Sequence, residues 1–128
     1  YADDRVAREI SGFAGYVAAN RAALQEMRRQ VGSALVMDSR GLAQRGMVIR
    51  HLVLPDDLSQ TRAVLSWIAR ELGAETYVSL MAQFFPAYRA NERPPLDRRL
   101  SRAEYRDALA ALSELGLENG WRQHYGPR

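Results

Sequence analysis

Cysteine is absent from all 128 residues, so the chain can form no disulfide and can offer no thiolate to a zinc ion or an iron–sulfur cluster. Lysine is absent as well, and all 18 basic residues are arginine. These arginines are interleaved with 15 acidic residues along the whole length, which leaves a formal charge of +3 without a clustered basic stripe. Neither zinc-finger spacing nor an aromatic-basic sheet motif is present, so the sequence does not point to nucleic acid. No apolar run approaches the roughly 20 residues of a membrane helix, and the opening YADDRVAREI has no signal-peptide core. The expectation is therefore a cytoplasmic protein with no membrane partner. A Gly-rich phosphate loop, a nucleophile elbow and an HExxH motif are all missing, which removes the common catalytic signatures.

What is there suits one domain, residues 1–128 as a single segment, with enough apolar content to build a core or to complete a larger one. The segment YVAANRAALQEMRRQV, residues 16–31, sets Leu24, Met27 and Val31 at helical spacing, and Gly32 stops it. ALVMDSRGLAQRG gives two short apolar stretches about the turn Asp38-Ser39-Arg40-Gly41 and predicts a hairpin. MVIRHLVLP is nearly continuous in aliphatic residues up to Pro55, the pattern of a strand covered on both faces in a parallel sheet. LSQTRAVLSWIAREL carries Leu65, Ile68 and Leu72 on one helical stripe, and TYVSLMAQF predicts a second buried strand. The proline- and charge-rich stretch 85–100 reads as a loop. Ser101 and Glu104 then form a capping box for a helix whose Tyr105, Ala108, Leu109, Leu112 and Leu115 share a face. The tail from Leu117 adds a last strand or a covering segment. Strand and helix alternate, so the fold class is α/β, built of βα units in a parallel sheet. Two such units leave sheet edges open, which implies more strands than this segment contains.

Arg50 is the most informative position. Strand alternation puts it on one face with Val48, Leu52 and Leu54, and Met47, Ile49, His51 and Val53 on the other. A guanidinium buried within an aliphatic strand needs an anion, either a protein carboxylate or the carboxylate or phosphate of a ligand. His51 is expected to be a hydrogen-bonded core residue rather than a base, and with only His124 for company it forms no metal triad. Gln83 follows the second strand at its C-terminal end, where α/β folds bind ligands, and its amide suits recognition or the fixing of a loop. Phe84, Phe85 and Tyr88 either stack on a ligand or pack the loop onto the sheet rim. Asp56 and Asp57 read as turn and helix N-terminal residues.

Three strings, NRAALQEMRRQVG, RGMVIRHLVLP and TYVSLMAQFFPAYRA, together with their spacing, resemble the C-terminal half of radical S-adenosylmethionine proteins of the pyruvate formate-lyase activating enzyme type. The resemblance runs from about Gly15 to Trp121, and the arginine inside an aliphatic strand that ends in proline is its most specific part. It implies the C-terminal βα units of a partial or full TIM-like barrel. It also implies S-adenosylmethionine and a 4Fe-4S cluster as cofactors of the intact parent, with the cluster held by a CxxxCxxC motif in the N-terminal half. Arg50, and with it Gln83, would contribute to the S-adenosylmethionine site. Two departures matter. The cysteine motif is missing, so this chain would not bind the cluster and would be inactive alone. Arg28 stands where relatives carry histidine, so no role for a helix histidine carries over.

Tyr1 rather than methionine stands first, as expected of a segment with chain before it. The expected partners are the N-terminal half of the parent barrel and a glycyl-radical or other protein substrate. The alternative is a standalone protein-interaction domain, without catalytic activity, that docks through the aromatic loop and an open sheet edge.

Overall fold

A computed structural model describes residues 1–126. Two helices come first, α1 (Asp4–Ser11) and α2 (Tyr16–Val31), followed by a small antiparallel hairpin of β1 (Val36–Met37) and β2 (Ala43–Arg45). The rest alternates: β3 (Val48–Leu52), α3 (Thr61–Glu71), β4 (Tyr77–Met81), α4 (Arg102–Glu114) and β5 (Gly120–Arg122). The last three strands form one parallel sheet in the order β3-β4-β5, with Arg50 beside Ser79 and Ser79 beside Trp121. Sequential parallel strands joined by helices are the local pattern of βα units. The hairpin turn is made as its sequence dictates, for Asp38 accepts hydrogen bonds from the amides of Arg40 and Leu42.

The core forms where two helical stripes meet one sheet face. Leu65 and Ile68 of α3, its C-cap residue Leu72, and Tyr105, Ala108, Ala111 and Leu112 of α4 close on Ile49, Val53, Val78 and Leu80. Both caps of the box that starts α4 are present: Ser101 accepts from the Glu104 amide at 3.2 Å, and Glu104 accepts from the Ser101 amide at 2.7 Å. Gly120 is required where β5 meets β4. Its φ is +111°, and a Cβ there would run into the Val78 backbone.

Three expectations change. MVIRHLVLP does not lie in a sheet covered on both faces: Ile49 and His51 are buried, but Val48 and Leu52 are half-buried and Arg50 is exposed. The burial cost that called for an anion at Arg50 does not act in this chain, because the Arg50 side chain is exposed. The second change is α1, which the sequence pattern had not announced. It is short and charged, and it begins because the Asp3 carboxylate accepts from the Arg5 amide at 2.6 Å. Third, α2 buries none of its residues; of the Leu24, Met27, Val31 stripe, Leu24 packs against the core and Met27 is exposed.

Candidate functional site

Along each strand successive side chains alternate between faces, so the sheet has a helix-covered face and an open one. Val48, Arg50 and Leu52 of β3 and Tyr77, Ser79 and Met81 of β4 share the open face, with Trp121 of β5 against Tyr77 at 6.2 Å between ring centroids. The Arg50 guanidinium donates to the Met81 sulfur at 3.1 Å. A thioether is a weak acceptor, and among the described residues Arg50 has no carboxylate within ion-pair distance. Among the described residues no carboxylate neutralises its charge on this open face.

A cavity of about 410 Å³ lies at the C-terminal end of β3, between Arg50 and Leu52, Ile10 of α1, Tyr16 of α2, and Phe84 and Leu96 of the long loop. A hydrogen bond from Arg93 to the Glu9 carbonyl, 2.9 Å, ties that loop to α1 across the cavity. A smaller cavity of about 200 Å³, which Arg50 also lines, continues between α2 and the edge of β3, past Leu24, Val48 and Trp67. Arg21 lies over the Trp67 ring there, 5.2 Å from its centre.

On the covered side of the same strand, His51 is buried with its Nε2 3.0 Å from Thr61 Oγ1, and Ser59 Oγ lies 3.2 Å from that same hydroxyl. Burial lowers the His51 pKa to about 4, so the imidazole is neutral at physiological pH. Ser59 also accepts from the Leu54 amide at 3.1 Å, and Asp57 accepts from the Thr61 amide at 2.9 Å. These bonds hold a turn in which Asp56, Asp57 and Gln60 all adopt left-handed φ of 51° to 55°. Such residues cost on the order of 1–3 kcal/mol each and persist only where the surroundings impose them. The turn sits at the C-terminal end of β3, the rim where βα folds carry their ligand loops. Asp56 and Asp57 thus serve the turn and the start of α3.

Arg50 and Gln83, the two residues singled out from the sequence, do not share a cavity. Gln83 lines a separate cleft of about 990 Å³ at the C-terminal ends of β4 and β5, and Phe84 borders both spaces. Gln83 accepts from Gln123 Nε2 at 2.9 Å, while Gln123 Oε1 accepts from the Ala82 amide at 2.8 Å. Gln123 escaped sequence reasoning because its partners lie some forty positions away in the chain.

No family model matches the chain, and no solved structure matches it. A protein of Methanocaldococcus jannaschii described as uncharacterized is 34% identical over 73 residues, which make up 56% of this chain and 21% of that protein. The chain spans about a fifth of the length of the curated relative it matches. Among the described residues no three His, Cys, Asp or Glu side chains converge on a metal site, and no helix is long and apolar enough to cross a membrane.

Proposed function

We propose that this chain supplies C-terminal βα units of a TIM-like radical S-adenosylmethionine barrel, with its open sheet face turned to the barrel interior and Arg50 binding the carboxylate of S-adenosylmethionine. The observation that carries the reading is Arg50 itself: an exposed guanidinium on a parallel strand, beside a cavity, whose partner among the described residues is a thioether. A planar, permanently charged fork is suited to a carboxylate. The sheet supports the same reading. Its strands run in sequence order, its two helices pack against the same face, and the other face is the one a barrel would enclose. The long relative is compatible with a segment of something larger.

The two cofactors fit this chain differently. Without cysteine it cannot ligate a 4Fe-4S cluster. S-adenosylmethionine fits, and when bound it would supply radical chemistry that begins at a cluster held elsewhere. The role of this chain's residues is to bind and orient: Arg50 holds the anion, and Phe84 and Tyr16 border the space beside it. Gln83 lies in a different cleft and is not assigned to this cofactor. The proposal carries with it a cytoplasmic setting, the N-terminal half of the barrel as partner, and a protein substrate such as a glycyl-radical enzyme.

Sequencing the gene upstream of the Tyr1 codon tests the reading. An in-frame CxxxCxxC followed by βα repeats is the expected result, and an open frame without that motif would contradict it. A second reading, a protein-interaction domain, draws on Phe85 and Tyr88, which are 59% and 93% exposed on the long loop. Cooperative unfolding of the 128-residue chain as a well-packed monomer would favour that reading over the first.

A further inference from the structure

We infer that the cleft at the C-terminal ends of β4 and β5 is a binding site for a small ligand that joins a flat aromatic ring to a carboxylate or phosphate. This goes beyond the function proposed above and does not rest on it, since Arg50 takes no part in the cleft.

Arg98 and Arg99 are neighbours, yet Arg98 is paired with Glu104 at 2.8 Å, while Arg99 has no carboxylate within ion-pair distance among the described residues. Arg99 lies instead over the Phe85 ring, 4.9 Å from its centre, at the edge of the cleft. Among the described residues no Asp or Glu lines the cleft, so none of them neutralises that guanidinium there. Gln83 adds a second donor: its carbonyl oxygen is used by Gln123, and its NH₂ donates to no other described residue.

Shape and rigidity point the same way. At about 990 Å³ the cleft is at the upper end of the range of small-molecule sites, which is roughly 300–1,000 Å³. Its walls include the rings of Phe84, Phe85 and Tyr125; Arg99 lies over Phe85 and Tyr125 stacks on Tyr105 at 6.0 Å, so Phe84 is the ring that offers stacking surface to a planar group. Its floor is fixed in advance. The Gln123 amide donates to the Leu80 carbonyl at 3.1 Å, its carbonyl accepts from the Tyr105 hydroxyl at 2.8 Å, and the Tyr125 hydroxyl donates to the Leu100 carbonyl at 2.7 Å. Those bonds fix Gln123 and the Tyr125 ring beside an unneutralised positive charge, at the end of the sheet where βα folds bind ligands.

Calorimetric titration of the intact protein with phenyl phosphate and with benzoate tests the inference, with inorganic phosphate as the probe that lacks the ring. The expected result is saturable one-to-one binding of at least one aromatic anion, at least tenfold tighter than inorganic phosphate. Arg99→Gln should weaken it at least tenfold, and Gln83→Leu should weaken it less. Two substitutions that remove the same charge elsewhere, Arg106→Gln on the outer surface of α4 and Arg50→Gln on the open sheet face, should leave it unchanged. Because Arg50→Gln is the variant expected to disturb S-adenosylmethionine, the two sites fail separately. Absence of saturable binding, equal affinity for inorganic phosphate, or indifference to Arg99→Gln would overturn the inference.

Discussion

Ile49, His51, Val78 and Leu80 reach the face covered by α3 and α4, and each is at most 9% exposed. Their immediate neighbours Val48, Arg50, Leu52, Ser79 and Met81 reach the other face and are half-buried or exposed. The same strands thus make a finished surface and an unfinished one. On the finished face every polar group is accounted for: His51, Thr61 and Ser59 satisfy one another, and the Tyr105 hydroxyl donates to main-chain carbonyls. On the unfinished face Arg50 meets a sulfur atom and a cavity. Stability therefore resides on one side of the sheet and unspent binding chemistry on the other.

Substitutions should divide the same way. Leu80→Ala removes a fully buried side chain and is expected to cost about 2–5 kcal/mol in urea unfolding, whereas Met81→Ala, one residue on and facing the other way, should cost under about 1 kcal/mol. Equal losses would erase the distinction between the faces.

On the covered face acid should act through His51. The folded-state pKa of His51 is lowered from 6.5 to about 4, so the unfolded chain takes up a proton at a higher pH than the folded one. Stability from this group is complete above about pH 6.5, declines as the pH falls, and is gone below about pH 4, a loss on the order of 3 kcal/mol. Unfolding free energies measured from pH 7 to pH 4 should show this slope, and His51→Gln should flatten it. An unchanged slope in the variant would assign the acid sensitivity to other groups.

Gly120→Ala should cost more than about 1 kcal/mol, because the left-handed backbone and the Val78 main chain leave no room for a Cβ. Hydrogen exchange should show the loss at the β4–β5 ladder before the β3–β4 ladder; uniform loss would mean the sheet opens as one unit. The smallest effect on stability is expected from Arg50→Ala, within about 0.5 kcal/mol, since its side chain is exposed and among the described residues meets no carboxylate.

How far the sequence foretold this depended on what kind of signal each element carried. Helices α2, α3 and α4 announced themselves by apolar spacing and, for α4, by a capping box whose two hydrogen bonds are both formed. Strands β3 and β4 were legible as aliphatic runs, but a run says only that apolar residues alternate with other apolar residues. Whether anything covers both faces is a tertiary fact, and for that reason Arg50 was expected to be buried and is exposed. Helix α1 is only eight residues long; its apolar stripe is just Val6, Ala7 and Ile10, and it starts at one capping carboxylate. The separation of Arg50 from Gln83 was not legible either, because Phe84 comes between their cavities only once the long loop folds back over the rim.

The most direct test of the open-face account is S-adenosylmethionine binding, measured by calorimetry on the full-length gene product and on its Arg50→Ala variant, with Arg106→Ala as a control. The account predicts saturable binding that Arg106→Ala leaves intact and that Arg50→Ala weakens at least tenfold, a loss of about 1.4 kcal/mol or more. Binding of equal strength in the Arg50→Ala variant would contradict it.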